Sequence, residues 1–154
     1  MNQYELMAKQ IEAIAKEDPD RIPVLSNTSA LIYDTVTDVN WAGFYLVDGD
    51  HLTLGPFQGK VACIHLYPHK GVCGTAWAED RPLVVANVHE FEGHVACDSK
   101  TNSEIVIPIH DLRKSEHPVI GVLDIDSIFL DRFHPEDREG LELVVRTLES
   151  VTRF

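Results

Sequence analysis

Residues 41–57 read WAGFYLVDGDHLTLGPF, a pattern that predicts how the sheet begins. Two runs rich in aliphatic and aromatic residues flank Asp48-Gly49, a dipeptide that is typical of tight hairpin turns. A hairpin joins antiparallel strands, whereas parallel strands need a long crossover connection. The stretch therefore predicts two neighbouring antiparallel strands, Trp41–Val47 and His51–Phe57.

The rest of the chain predicts more strands in its middle and helices at both ends. Further strands are predicted at Val61–Leu66, Pro82–Ala86, Ser103–Ile109 and Val119–Asp126. One short helix is predicted at Val72–Ala78. Apolar residues at helical spacing predict helices at Tyr4–Lys16, Pro19–Thr37 and His134–Val151. Because βαβ alternation is absent, we expect an α+β fold. In it, an antiparallel sheet of about six strands carries the N- and C-terminal helices on one side.

The 154 residues are expected to form a single domain, since no repeat or linker divides them. The N-terminal helices would occupy residues 1–38, the sheet with its loops residues 40–126, and the C-terminal helix residues 134–152. Residues 87–102 show no periodicity. A loop of this length is uncommon in a compact domain unless it has a function, so we expect one here.

Composition and apolar patterning exclude several classes of binding partner and a membrane-spanning segment. Twenty-five acidic and 13 basic residues give a net charge of −12, which opposes binding to nucleic acid and to anionic membranes. The opening residues do not resemble a secretory signal, and no apolar run approaches the ~20 residues that span a bilayer. We therefore expect a cytoplasmic protein, in which cysteines are more often buried, metal-binding or redox-active than structural disulfides.

Acidic and aromatic residues share faces of the predicted strands. Asp124 and Asp126 lie on one face of the last strand, and Glu104 begins a neighbouring strand. Spacing alone leaves open whether these carboxylates form a solvated strand end or the floor of a pocket that binds an ammonium group or supplies an acid. Trp41 and Tyr45 likewise share a face, either as core residues or as an apolar wall beside the carboxylates.

The three cysteines lie in different predicted surroundings. Cys63 is placed within a strand, where a buried small hydrophobe is expected. Cys73 lies near a helix N-terminus, which favours the thiolate form. Cys97 follows His94 by three residues in the long loop, a position suited to an accessible nucleophile.

A zinc site is the less favoured alternative for this region. Four residues with suitable side chains fall within eleven positions, but they contain no Cys-x-x-Cys pair, so we expect no metal: Cys63, His65, His69 and Cys73.

Four longer motifs identify a resemblance. The strings GPFQGKVACIHL (55–66), KGVCGTAW (70–77), GHVACDSKTNSEIVIPI (93–109) and GVLDIDS (121–127) resemble the free methionine-(R)-sulfoxide reductases, which are single GAF domains. The similarity extends from Asn40 to the end of the C-terminal helix. Three cysteines in matching contexts, together with NSEIV and LDIDS, are not general features of GAF domains.

The resemblance implies an activity and a set of roles. It implies reduction of free L-methionine (R)-sulfoxide to L-methionine by thiol chemistry, with no bound cofactor and with an external dithiol such as thioredoxin as the reductant. Cys97 would be the nucleophile and Cys63 would resolve it as a disulfide, while Cys73 would be a second resolving thiol or the attacking one. The resemblance assigns the substrate pocket to Glu104, Asp124 and Asp126 and its aromatic wall to Trp41 and Tyr45.

Two departures and one competing class accompany this resemblance. His69 stands where the family tends to have glycine, and the loop Asp111–Pro118 is longer than is typical. For a GAF domain, a homodimer through the N-terminal helices is a further expectation. The alternative function is a GAF sensor module that binds a small molecule without catalysis.

Overall fold

The computed structural model describes residues 1–95 and 97–154. The helices are α1 (Gln3–Glu17), α2 (Arg21–Thr35), α3 (Gly71–Glu79) and α4 (Pro135–Val151). The strands are β1 (Trp41–Asp48), β2 (His51–Gly59), β3 (His65–Leu66), β4 (Leu83–Val85), β5 (Ser103–His110) and β6 (Val119–Ser127). They form one sheet in the order β3-β2-β1-β6-β5-β4, and every neighbouring pair is antiparallel. The predicted α+β class and the hairpin β1–β2 are confirmed.

One face of the sheet packs against α1, α2 and α4. Alternate strand residues such as Phe44, Ile105 and Ile125 are fully or almost fully buried in this layer. The Tyr4 hydroxyl donates a hydrogen bond of 2.6 Å to Asp137, which joins α1 to the first turn of α4 inside the protein. The predicted placement of the N- and C-terminal helices on one side of the sheet is therefore confirmed.

The opposite face carries the shorter helix α3 and the long loops. Val106 and Val122 pack there with Val72, Cys73 and Ala76 of α3 in a second, smaller core. The strand positions at one end of this face are polar rather than apolar, which leaves a depression between the sheet, α3 and the loops. The second layer therefore positions the candidate site.

The predicted strand Val61–Leu66 is wrong for most of its length. Only His65 and Leu66 pair with β2, opposite Thr53 and Leu52. Residues 61–63 leave the ladder because β2 ends at Gly59, whose φ of 132° turns the chain away from the sheet, whereas the Ile64 carbonyl oxygen still accepts a hydrogen bond from the Leu54 N–H at 2.9 Å. Within the described residues, none of the helices has the length and apolar character needed to cross a lipid bilayer.

Candidate active site

The registers of β1, β6 and β5 bring three carboxyl groups to one patch of the sheet. Asp126 lies between Trp41 on β1 and Glu104 on β5, as direct cross-strand neighbours. Asp124, two residues away on β6, occupies the next row, between Gly43 and Val106. The sheet thus gathers residues that are far apart in the sequence.

Two of these carboxyl groups are buried. Glu104 is 8% exposed and Asp124 is 6% exposed, while Asp126 is half-buried. Burial of like charges on neighbouring strands is unfavourable unless the groups are protonated or bind a cation. Glu104 and Asp124 therefore do not form a solvated strand end, whereas their role as the floor of a ligand pocket stays a prediction.

Burial changes the protonation of the cluster. Desolvation and the charges of the neighbouring carboxylates raise the pKa of Glu104 and of Asp126 well above the ordinary range. Burial also raises the pKa of Asp124, but contacts with Glu104, Cys73 and Asp126 oppose that rise. All three carboxyl groups therefore tend to keep a proton, and the tendency is weakest in Asp124 because contacts with its neighbours oppose the rise in its pKa.

Two oxygens of the cluster lack hydrogen-bond partners. Asp124 Oδ1 and Asp126 Oδ1 are buried and accept no hydrogen bond from residues 1–95 or 97–154. Both residues line a cavity of about 50 Å³, which is room for several water-sized groups. Buried oxygens of this kind need a donor or a cation, and a ligand in the cavity would supply one.

Trp41 and Tyr45 both pack in the core and line this cavity, so the two interpretations of the aromatic face hold together. The Trp41 ring stacks on Tyr45 and on Phe57, with centroid distances of 5.9 and 5.2 Å. The indole N–H donates to the carbonyl oxygen of Lys60 at 3.1 Å, and the Tyr45 hydroxyl donates to that of Cys63 at 2.9 Å. These two bonds hold residues 60–63 over the wall.

A disulfide joins Cys63 to Cys97 at the mouth of the cavity. Their Cα atoms are 5.5 Å apart, although the residues are 34 positions apart in the sequence. Cys97 is exposed and Cys63 is half-buried. The interpretation of Cys63 as an inert residue within a strand is therefore wrong, since it lies before β3 and forms a covalent bond to the long loop.

Cys73 is a free thiol in the first turn of α3. It is buried at the edge of the cavity, and its Sγ lies 3.9 Å from Glu104 Oε2. Burial, followed by the charges of Asp124 and Glu104, raises the pKa of the Cys73 thiol well above its ordinary value. The thiolate expected at a helix N-terminus is therefore wrong for this state, because desolvation and negative neighbours outweigh the helix dipole.

The four residues considered for zinc do not come together. Cys63 is bonded to Cys97 and Cys73 lies against Glu104, whereas His65 and His69 are exposed. His69 has a φ of 62°, a left-handed conformation that favours glycine, which explains why glycine is usual at this position in the related motif.

Sequence reasoning missed the polar contacts that hold the loop of Cys97. Asn40 Nδ2 donates to Asp98 Oδ2 at 3.1 Å and to Thr101 Oγ1 at 3.3 Å. The Gly71 N–H donates to the Gly93 carbonyl oxygen at 2.7 Å, which ties the start of α3 to the same loop. Only Asp98 gave a local signal, since an aspartate that caps its own turn is common in loops.

Comparison with known proteins agrees with this geometry. The GAF domain family matches residues 20–151. Free methionine-R-sulfoxide reductase of Escherichia coli (strain K12) is 46% identical over 154 residues, which cover 98% of this chain and 91% of that protein. The protein of the same name from Saccharomyces cerevisiae is 42% identical over 137 residues, with 84% and 74% covered.

A solved structure extends the comparison to three dimensions. The structure of fRMsr of Staphylococcus aureus in complex with substrate matches with a TM-score of 0.87 at 46% identity, and the match covers 97% of this chain and 95% of that one. Since the family match and these relatives span most of the sequence, the chain belongs to the GAF domain family and, within it, to the free methionine-R-sulfoxide reductases.

Proposed function

We propose that the protein reduces free L-methionine (R)-sulfoxide to L-methionine. The observation that carries the proposal is the Cys63–Cys97 disulfide, which lies at the mouth of a cavity with a floor of carboxyl groups. A redox-active pair beside a site for a cation suits a small zwitterion with a reducible sulfur. The membership of a reductase family supports the same reaction.

The cavity has complementary groups for each part of this substrate. The unpartnered oxygens of Asp124 and Asp126 would accept hydrogen bonds from its ammonium group. Lys70, which lines the same cavity, offers a positive charge for its carboxylate. Trp41 and Tyr45 would pack against the methyl group and so help to select the R epimer. Because both charged ends would be bound, a peptide-linked methionine would not fit.

Cys97 is the proposed nucleophile and Cys63 the resolving thiol. In the reduced protein, the Cys97 thiolate would attack the sulfoxide sulfur, and a protonated carboxyl such as Glu104 would hydrogen-bond the sulfoxide oxygen. The oxygen passes from the sulfoxide to the Cys97 sulfur, so that methionine leaves and Cys97 becomes a sulfenic acid. The Cys63 thiol then displaces the hydroxyl, which leaves as water, and the disulfide forms.

An external dithiol must restore the two thiols. Thioredoxin is the proposed reductant, because Cys97 of the disulfide is exposed and a protein dithiol can reach it. Its own two thiols become a disulfide as Cys63 and Cys97 are reduced, so two electrons pass per sulfoxide. Such a cycle suits the reducing cytoplasm, which is the compartment we propose.

Domain organisation and assembly are part of the proposal. We propose that residues 1–154 act as one GAF domain, because the bond from Tyr4 to Asp137 ties α1 to α4 within the core. A homodimer through α1 and α2 stays a prediction, supported by the exposed apolar residues Leu6, Ile22 and Tyr33. Sedimentation velocity of the protein, with Leu6→Glu as the variant expected to separate a dimer, tests it.

The reaction is tested by oxidation of NADPH in the presence of thioredoxin and thioredoxin reductase. Three compounds are compared: the free R-sulfoxide, the free S-sulfoxide and the N-acetylated R-sulfoxide. We expect turnover with the free R epimer alone. Absence of turnover with all three, given reduced and folded protein, would contradict the proposal and favour a GAF sensor without catalysis.

A further inference from the structure

We propose that Cys73, Glu104 and Asp124 form a binding site for one soft divalent cation of the Zn²⁺ or Cd²⁺ type. The site shares only Cys73 with the motif of cysteines and histidines considered from the sequence, because its other two ligands come from β5 and β6. It overlaps the pocket proposed for the substrate ammonium group. This overlap rests on the proposed function.

The three side chains are close enough to share an ion. One ligand atom from each, the Cys73 sulfur and a carboxyl oxygen of Glu104 and of Asp124, lies within 4.8 Å of the other two. Zn–S and Zn–O bonds of about 2.3 and 2.1 Å at tetrahedral angles place sulfur and oxygen about 3.6 Å apart. The Cys73 Sγ to Glu104 Oε2 distance of 3.9 Å is near that value. Small side-chain shifts would therefore complete the ligand set.

An independent observation indicates a missing positive partner. Asp124 is 6% exposed, and its buried Oδ1 accepts no hydrogen bond from the part of the chain that the structure describes. The same residue lines the cavity, from which a water molecule could supply a fourth ligand. Asp124 therefore has a buried oxygen without a partner at a place where a cation would be favourable.

The ligand types indicate which cations would bind. A thiolate selects zinc and cadmium over magnesium and calcium, which prefer oxygen ligands and larger coordination numbers. Two carboxylates and one thiolate give three negative charges for a divalent ion. Binding would displace the thiol proton and the protons held by the two carboxyl groups, so affinity should rise with pH. An ion there would exclude the substrate's ammonium group from Asp124.

The state of the cysteines makes a direct test possible. Of the three cysteines, two are joined in the disulfide, so Cys73 is the one thiol of the oxidised protein. Titration with Cd²⁺ should therefore give an ultraviolet cadmium–thiolate band from Cys73 alone. We expect the band to saturate at one equivalent and to be absent in Cys73→Ser.

The carboxylate variants distinguish a chelate from a lone thiol. Asp124→Asn and Glu104→Gln should each weaken Cd²⁺ binding about tenfold or more, whereas Asp50→Asn, a control at an exposed turn, should leave it unchanged. Circular dichroism checks that each variant is folded. Equal affinity in Asp124→Asn, Glu104→Gln and Asp50→Asn would overturn the chelate.

A second variant keeps the test decisive if the disulfide hinders entry. In Cys63→Ser/Cys97→Ser, Cys73 is again the one thiol but the mouth of the cavity is no longer bridged. Absence of the band in both this variant and the oxidised protein would overturn the site. The titration needs no turnover, so its failure leaves the NADPH assay unaffected, and a protein without reductase activity would still show the band.

Discussion

Glu104 and Asp126 are direct cross-strand partners on β5 and β6, so two acidic side chains face each other on the same side of the sheet. Like charges at such positions destabilise a sheet, and burial of Glu104 adds to the cost. Asp124 lies one row further along the same face. The fold therefore keeps an unfavourable cluster where the proposed substrate brings a positive charge.

Glu104→Gln should stabilise the empty protein while it impairs the site. The raised pKa of Glu104 means that ionisation opposes folding. This penalty is absent below the unfolded-state pKa and grows as the pH rises through the folded-state value. We expect a gain of about 1 kcal/mol near neutral pH, or about 2–4 °C in Tm. Thermal unfolding at several pH values measures it.

The control for this variant is Glu12→Gln on the exposed face of α1. It removes one negative charge without touching the cluster and should change Tm little. A Tm for Glu104→Gln that is lower than that of the control at neutral pH would contradict the electrostatic account of the cluster.

Substrate binding should release protons from the carboxyl cluster. The pKa values of all three carboxyl groups are raised, by burial first, so the empty site retains protons. A bound ammonium group favours the ionised forms and lowers those pKa values. Affinity should therefore increase with pH above the ordinary carboxyl range until the cluster is ionised, by up to about tenfold per pH unit for one proton released.

This linkage is measurable without turnover. Calorimetry of Cys97→Ser with free methionine sulfoxide, in two buffers of different ionisation enthalpy, gives the number of protons released. The same titration of Cys97→Ser/Asp124→Asn should show weaker binding. Affinity that is independent of pH, with no buffer effect, would show that the cluster does not bind the ammonium group.

His110 joins two helices at the other end of the sheet. Its Nε2 lies 2.7 Å from Asp80, which caps α3, and its Nδ1 lies 3.0 Å from Glu149 on α4. Burial lowers the pKa of His110, but the hydrogen bonds and charges of Asp80 and Glu149 outweigh it and raise the pKa overall. The stabilisation is complete below the unfolded-state pKa and is lost as the pH rises through the folded-state value.

His110→Gln should therefore cost more stability at pH 6 than at pH 8.5. Because Asp80 is more than half exposed, we expect a modest difference of about 1 kcal/mol between the two pH values. His65→Gln, on the exposed strand β3, is the control. Equal loss of Tm at both pH values would mean that His110 contributes by packing alone.

The sequence was sufficient for the sheet but not for the chain between β2 and α3. Local signals such as Asp48-Gly49 and the alternation of β6 are independent of distant contacts, so β1, β2, β5 and β6 begin where expected. Residues 61–64 have the composition of a strand. Residues 61–63 nevertheless leave the sheet because Gly59 turns the chain, and Cys63 bonds to a residue 34 positions away. A long-range bond leaves no periodic pattern.

The features of the candidate site likewise divide into those that the sequence predicted and those that it could not predict. The placement of Asp124 and Asp126 on the same face of β6 follows from strand alternation. The burial of Glu104 could not be predicted, because it depends on α3 covering that face of the sheet. Desolvation of Cys73 by the same packing reverses the expectation from its helix N-terminus. Residue chemistry was readable from the sequence, whereas protonation required the tertiary structure.

Cys97 is proposed to reduce the sulfoxide and Cys63 to resolve the product. The direct measurement is the amount of methionine formed per protein from free methionine (R)-sulfoxide without reductant. Prereduced Cys63→Ser and Cys97→Ser are compared, with Cys73→Ser alongside. We predict one equivalent from Cys63→Ser, which cannot be recycled by thioredoxin, and none from Cys97→Ser. A full equivalent from Cys97→Ser, with loss of it in Cys73→Ser, would contradict the account and make Cys73 the attacking thiol.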